Sequence, residues 1–372
     1  GGFPLNRLCA ATAGSREARL GALRSTISDA RLAGLLVTHP PNVRYLSGFS
    51  GSAGFLLVEP NRATLFTDFR YEMQSVEQVE PPFGVRIVKN SSWSELAEWV
   101  ATSPQERRLG FEAGHVSVGE RDRIVEACGR VSWEPTEDLV EGLRAVKDDA
   151  EIASIEAAVD LADLVLEMML PQIRVGATEA ELAARLVYRL RSAGSGPLPF
   201  EPIVAFGERT ALPHATPTDR PLGSGELVLL DFGASIDGYC SDMTRVFTVG
   251  RAAEWQRDMH REVLAACEAG IQAAVPGASG RAVDAAARNR LEQAGLADRF
   301  GHSTGHGIGL QVHEAPRLHR DATETLATGN IVTVEPGVYL PGRGGIRIEQ
   351  VVAVQPDGIR VLTRSSPELI EL

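Results

Sequence analysis

Apolar positions recur along the chain with two periods, about 3.6 and about 2 residues, and the changes between them mark out its elements. Leu20, Leu23, Ile27 and Leu32 stand near helical spacing and predict a helix over residues 15–33. Short apolar runs follow, separated by turn residues: GLLVT (34–38), NVRYLSG (42–48), GFLLVEP (54–60) and ATLFTD (63–68). They predict a strand-rich sheet of mixed order. Helical spacing returns over 69–79 and 91–102, with a strand over 109–112 and a helix near 118–128. Together these elements make a small α/β domain.

A charged segment from Arg144 to Glu151 contains Lys147, Asp148 and Asp149 and leads into a long helix, Glu151 to Met169, which Pro171 ends. The border is placed there, giving domains 1–145 and 146–372. The second domain repeats itself. RVGATEAELAARLVYRLRSAG and VPGASGRAVDAAARNRLEQAG both open on Gly-Ala-Thr/Ser, and they close on Ala193-Gly194 and Ala294-Gly295. Thr178 with Glu181 three positions on forms a capping box, and each helix stops at a glycine of the C-cap type.

After each helix come strands with acids. Asp231 closes the apolar run 227–230, and Asp242 follows beyond a turn at 236–239. In the second copy Glu335 sits in IVTVEPG, Glu349 in GIRIEQVV, and His306 in STGHGIG. Strand alternation puts Leu227, Leu229 and Asp231 on one face, as it does Ile331, Thr333 and Glu335. Arg347 and Glu349 share a face opposite Ile346 and Ile348. The duplication thus predicts two strand pairs meeting about a pseudo-twofold axis, each delivering two carboxylates to one centre. Four clustered carboxylates repel, and some take up protons unless cations compensate them. Two divalent ions would cancel their charge and could hold a bridging hydroxide of lowered pKa, a nucleophile at neutral pH. One imidazole among carboxylates favours Mn2+, Co2+ or Zn2+ over calcium.

Composition narrows the reading further. A chain of 372 residues exceeds what one core usually serves, consistent with two domains. A net charge of −12 argues against a nucleic-acid partner. No apolar run approaches the roughly 18 residues of a membrane helix, and residues 1–25 hold no signal-peptide core, so neither membrane nor secretion is expected. Cys9, Cys128, Cys240 and Cys267 show no metal or redox spacing and fit a reducing cytoplasm. The glycines of GHGIG (305–309) do not match a nucleotide fingerprint; they read as places where backbone passes close to the metals.

At these positions the sequence resembles the pita-bread metallopeptidases, most closely the aminopeptidase P and prolidase branch. The motifs are LLDFGASIDGYCSDMTR (229–245), HSTGHGIGLQVHE (302–314), TVEPGVY (333–339) and GIRIEQ (345–350), and NVRYLSGFSGS (42–52) resembles the creatinase-type N-terminal domain of that branch. The resemblance implies an α+β protein, a duplicated pita-bread domain behind a smaller α/β domain. It implies Asp231 on a first metal, Asp242 and Glu349 bridging two, His306 and Glu335 on the second, with Mn2+ the first choice. Glu335 would also shuttle the proton of the attacking hydroxide. His214, His302 and His313 would line the substrate pocket, with His214 and His313 stabilising the intermediate. Arg347 would brace a ligand or meet a substrate carboxylate. The implied reaction is hydrolysis of Xaa-Pro bonds in peptides with proline second from the N-terminus, by a homodimer or homotetramer. The alternatives are a broader metalloaminopeptidase and a non-catalytic peptide-binding module. His39, His115, His260 and His319 read as structural or surface residues, and Tyr339 as packing.

Overall fold

The computed structural model describes residues 13–102 and 107–372, so Cys9 lies outside the described residues. The described chain forms two compact units, one ending at Arg144 and one running from Ala145 to Leu372. The first unit contains α1 (Ala13–Asp29), β1 (Gly34–Val37), α2 (Pro40–Ser47), β2 (Gly54–Val58), β3 (Ala63–Asp68), α3 (Glu72–Gln78), β4 (Phe83–Val88), α4 (Ser92–Ala101), β5 (Arg107–Glu112), α5 (Val118–Ala127), β6 (Val131–Thr136) and a single turn, α6 (Glu141–Arg144). Its strands form one sheet in the order β4-β3-β2-β1-β5-β6. β2 is antiparallel to β1 and β3, and the other pairs are parallel.

The run NVRYLSG, expected in the sheet, is helix α2. Pro40 and Pro41 fill its first turn, where no amide hydrogen is needed, and Gly48 closes it at φ 80°. Val43, Leu46 and Ser47 are buried at helical spacing, which a short apolar run alone does not distinguish from a strand. β4 and β6, the sheet's edges, lie where no strand was expected. Their residues are largely half-buried or exposed, so the apolar signal is weak.

In the second unit α7 (Asp149–Met169) starts from a capping box between Asp148 and Glu151. α8 (Glu179–Ser192), β7 (Ile203–Phe206), β8 (Leu227–Phe232), β9 (Ser235–Ile236), β10 (Tyr239–Cys240) and β11 (Met243–Thr248) follow. Then come α9 (Glu254–Ala273), α10 (Gly280–Gln293), β12 (Gly305–Gly307), β13 (Glu314–Leu318), β14 (Ile331–Val334), β15 (Gly337–Leu340), β16 (Gly344–Arg347), β17 (Gln350–Gln355), β18 (Gly358–Val361) and β19 (Ile370–Glu371). Two sheets form, β19-β11-β8-β7 and β13-β12-β14-β17-β18, with β9–β10 and β15–β16 as separate hairpins.

The duplication is visible in the backbone. Gly176 and Gly277 both adopt φ 86° before their helices. The Gly176 amide donates to the Leu222 carbonyl at 2.9 Å, and the Gly277 amide to the Leu326 carbonyl at 2.8 Å. Thr178 and Ser279 each cap the helix that follows and form the matching isolated bridges to Pro221 and Thr325. β8 is buried along its whole length. Leu227 and Leu229 pack with Val332, Val334, Ile346 and Ile348 of the second copy, while Val228, Leu230 and Phe232 pack with Leu182 and Leu186 on α8. A strand covered on both faces reads as a continuous apolar run, and here Asp231 ends the face turned toward the second copy.

Gly233, just beyond β8, illustrates how tightly this corner closes. A Cβ there would run into the Ser241 carbonyl oxygen, where the Ser241 amide already donates to Ala234. Gly233→Ala is expected to cost about 1–3 kcal/mol of stability through overpacking and to weaken divalent-metal binding by displacing Asp242. Denaturant titration and metal titration of the variant check both effects.

Candidate metal centre

Each strand end delivers its side chain for a local reason. Asp231 stands opposite Thr244 in the β8–β11 register. Between them the chain turns through Asp237 and Gly238, both at positive φ, pairs β9 with β10, and returns to Asp242. His306 lies in β12, where its amide donates to the Thr333 hydroxyl at 3.2 Å. A carbonyl only accepts, so its Nδ1 donates to the Gly307 carbonyl at 3.1 Å, and this turns Nε2 toward Glu335. Glu335 follows β14, its amide bonded to the Thr304 carbonyl at 2.7 Å. Glu349 sits between β16 and β17, with Oε2 accepting from the Thr244 hydroxyl at 2.8 Å.

Ligand-capable atoms of Asp242, His306 and Glu349 lie within 4.8 Å of one another, and all three residues are buried. His306 Nε2 is 3.8 Å from Asp242 Oδ2 and 3.4 Å from Glu335 Oε1. Asp231 Oδ2 accepts from the Arg347 guanidinium. Burial drives the Asp242 carboxyl well above its ordinary value, helped by the charges of Glu349, Asp231 and Glu335. Burial does the same to Glu349, with Glu335 and Asp231 adding to it. Asp231 is also raised by burial, against the pull of Arg347. Glu335 goes the other way: the hydrogen bond and charge of His306 outweigh its burial and hold it low. His306 is raised in return, the Glu335 interaction overcoming burial.

Two buried oxygens, Asp231 Oδ1 and Glu349 Oε1, have no hydrogen-bond partner. Orphaned carboxylate oxygens are costly in a protein interior. They fit divalent cations, and a set of carboxylates with one imidazole and no thiolate suits first-row metals. Beneath them Arg245, buried and pulled down to about 10 by desolvation, donates to the Glu349 carbonyl at 2.6 Å and the Thr244 carbonyl at 2.9 Å.

Histidines flank this cluster. The His313 ring meets the His306 ring edge-on, with centroids 4.2 Å apart. Burial and the nearby His306 charge hold the His313 pKa low. His214 is exposed and close enough for its charge to act on Asp231 and His313. It follows Pro213, whose carbonyl accepts from Arg347 at 3.4 Å. Both nitrogens of His302 have protein partners. Nδ1 donates to the Ser303 carbonyl and Nε2 accepts from Tyr339, each at 2.8 Å. Tyr339 is not mere packing: its hydroxyl also accepts from Arg347 at 2.8 Å, linking Arg347 to His302. Gly345 faces Tyr339 across the hairpin, and a Cβ at Gly345 or Gly337 would strike its ring or hydroxyl, a closeness that the fold alone reveals. Thr244 braces Glu349 and accepts from Arg347 at 3.1 Å, again with no mark in the sequence.

The raised carboxyls fix the behaviour of the metal-free protein. Asp242 and Glu349 hold protons more tightly folded than unfolded. Metal-free stability therefore falls as pH rises from the ordinary carboxylate range through the raised values. Asp242→Asn removes one repelling charge. At neutral pH the chelator-treated variant is expected to melt above chelator-treated parent, by about 2–4 °C for each kcal/mol relieved, while binding less metal. Calorimetry with and without chelator, paired with metal analysis, checks this, and a lower metal-free melting point would refute the repulsion argument.

Known proteins resemble this chain in sequence and fold. The description of metallopeptidase family M24 matches residues 153–356, and that of the creatinase/prolidase N-terminal domain matches residues 19–146. The chain is 34% identical to the Xaa-Pro dipeptidase of Pyrococcus furiosus, over 90% of this chain and 94% of that one. It superposes on the Xaa-Pro dipeptidase from Bacillus anthracis with a TM-score of 0.92 at 38% identity, covering 96% of this chain and 100% of that chain. It superposes on the X-Pro aminopeptidase from Thermotoga maritima with a TM-score of 0.86 at 34% identity, covering 92% and 98%. With strand-end acids from two copies of one helix–sheet unit converging on a buried cluster, behind a separate mixed α/β unit, the chain belongs to metallopeptidase family M24, a pita-bread domain preceded by a creatinase/prolidase N-terminal domain.

Proposed function

We propose that the chain hydrolyses Xaa-Pro peptide bonds with two divalent ions per subunit, Mn2+ first and Co2+ or Zn2+ as substitutes. The observation that carries this is the buried cluster with its two orphaned carboxylate oxygens, in a chain similar over nearly its whole length to an Xaa-Pro dipeptidase. Asp231 would hold the first ion, Asp242 and Glu349 both ions, and His306 with Glu335 the second. When bound, the ions polarise the scissile carbonyl and lower the pKa of an attacking water.

The remaining steps belong to side chains. Glu335, held low by His306, is ionised at neutral pH and can accept a proton and pass it to the prolyl nitrogen. His313 is held neutral, so its N–H can donate to the carbonyl oxygen as charge develops there, and His214 stands beside it for the same work. His302 lines the pocket with its ring, its nitrogens being spent on Tyr339 and Ser303. Arg347 braces Asp231 and the backbone next to His214. We assign residues 1–145 to the N-terminal domain and 146–372 to the catalytic domain, and place the protein in the cytoplasm. We further propose assembly as a homodimer or homotetramer. Phe69, Met73 and Val76 form an apolar stripe, 77%, 75% and 73% exposed, that a second copy would cover. Light scattering on the eluting protein tests that assembly, and a monomer refutes it.

Xaa-Pro dipeptides and longer Xaa-Pro peptides are expected to be cleaved in Mn2+, with cobalt and zinc compared in parallel. Equal turnover of peptides lacking proline would remove the proline claim. Glu335→Gln is expected to lower kcat by about 100-fold or more. Tyr339→Phe keeps the ring but releases Arg347 and His302, and is expected to lower kcat/KM by about 10- to 100-fold. Steady-state kinetics on the metal-loaded variants check both.

A further inference from the structure

Outside the cluster, the second unit holds a buried ion pair, Lys147 with Glu314, that the chemistry above does not use. Lys147 lies on the segment leading into α7. Its side chain is fully buried, and its ammonium is 2.7 Å from Glu314 Oε1; the Glu314 side chain is 5% exposed. Backbone contacts fix the lysine in place. The Lys147 amide donates to the Gly329 carbonyl at 2.9 Å, and Asn330 Nδ2 donates to the Ala145 carbonyl at 2.8 Å.

Glu314 follows His313 directly. Its other oxygen, Oε2, accepts from the Gln311 amide at 3.4 Å. The carboxylate therefore grips the loop on both sides of His313, at Gln311 and at Glu314 itself. The loop is built to admit it. A Cβ on Gly309 would strike Glu314 Oε1, and the Gly309 amide turns back onto the Gln311 carbonyl at 3.0 Å. The Gly309 carbonyl is tied in turn to the Cys240 amide at 2.8 Å.

We propose that Lys147 is a positioning residue for His313. It neutralises and anchors Glu314, and Glu314 holds the 309–313 loop so that the His313 ring stands against His306. A buried carboxylate without its cation would turn toward water or take up a proton, and either change loosens its grip on the loop. The inference rests on the reading of His313 as a substrate-side donor, and the experiment separates the two.

Lys147→Met, Lys147→Arg, His313→Ala and the Lys147→Met/His313→Ala double variant are compared as Mn2+-loaded enzymes on an Xaa-Pro dipeptide, with metal content and melting temperature recorded. Lys147→Met is expected to lower kcat/KM by about 10- to 100-fold, the scale of a small misplacement of a working group, at unchanged metal content, with Lys147→Arg restoring most of it. In the His313→Ala background the same substitution is expected to cost less than about threefold, because coupled residues are not additive. An equal cost in both backgrounds overturns the proposal. A fully active His313→Ala enzyme refutes the role of His313, and the Lys147 route with it. Hydrogen exchange over residues 308–313 reads the loop without any activity: faster exchange in Lys147→Met supports the strap, and unchanged protection overturns it even for a parent that does not cleave Xaa-Pro bonds. Where Lys147→Met does not fold, Glu314→Gln takes its place in the same cycle.

Discussion

Repulsion among buried carboxylates is the constraint on which the second unit depends. Asp231, Asp242 and Glu349 are all raised, and in each case burial is the largest cause and neighbouring carboxylates add to it. Arg347 and His306 are set directly against the cluster; of its carboxylates Arg347 bonds Asp231, and His306 lies nearest Glu335. Asp242 and Glu349 are left without such a partner, and these two are raised the most. Folded proteins hydrogen-bond nearly all their buried polar atoms, yet Asp231 Oδ1 and Glu349 Oε1 stand bare beside the cluster. An apolar core would be more stable here; the arrangement makes sense only with cations bound.

Holding such a site open requires a scaffold that does not relax around it. The scaffold is the paired sheets. β8 is fixed from both faces, by the second copy on one side and by α8 on the other, so Asp231 has no room to swing away. Arg245 clamps the backbone of Glu349 to that of Thr244, joining the strand ends of the two copies from below. Thr244 then touches both Glu349 and Arg347 with one hydroxyl. Because the acids come from two copies of one unit, they approach from opposite strands, and no single segment has to carry the whole charge.

Much of this was legible in the chain. The apolar period marked β8 and β14, the Thr178–Glu181 pair marked the start of α8, and the paired Gly-Ala-Thr/Ser openings marked the duplication. Placement at strand ends singled out Asp231, Asp242, His306, Glu335 and Glu349 as candidates, and the family resemblance suggested their roles. What the sequence hid was of two kinds. Elements decided by context were misread or missed: α2 depends on prolines and a left-handed glycine around an apolar run that also suits a strand, and the edge strands β4 and β6 bury too little to show a pattern. Residues that act through other side chains were missed as well. Tyr339, Thr244 and Arg245 look like ordinary strand residues, and only the tertiary hydrogen bonds reveal their partners.

Those hydrogen bonds also have a direction, and it divides the labour among the histidines. Arg347 can only donate, so the Tyr339 oxygen accepts from it and its hydrogen goes to His302 Nε2. His302 must then carry its proton on Nδ1, which the Ser303 carbonyl requires independently. Burial holds this imidazole neutral. A ring with its tautomer set from both sides and its charge suppressed cannot also relay protons. In the proposed mechanism proton transfer therefore falls to Glu335 at the cluster, and donation to the carbonyl oxygen to the flanking His313 and His214. Arg347 joins the two parts: one nitrogen holds Asp231, while another serves both Tyr339 and the Pro213 carbonyl beside His214. The guanidinium that offsets the charge of Asp231 therefore also sets where the histidine loop begins, and neither part can move without disturbing the other.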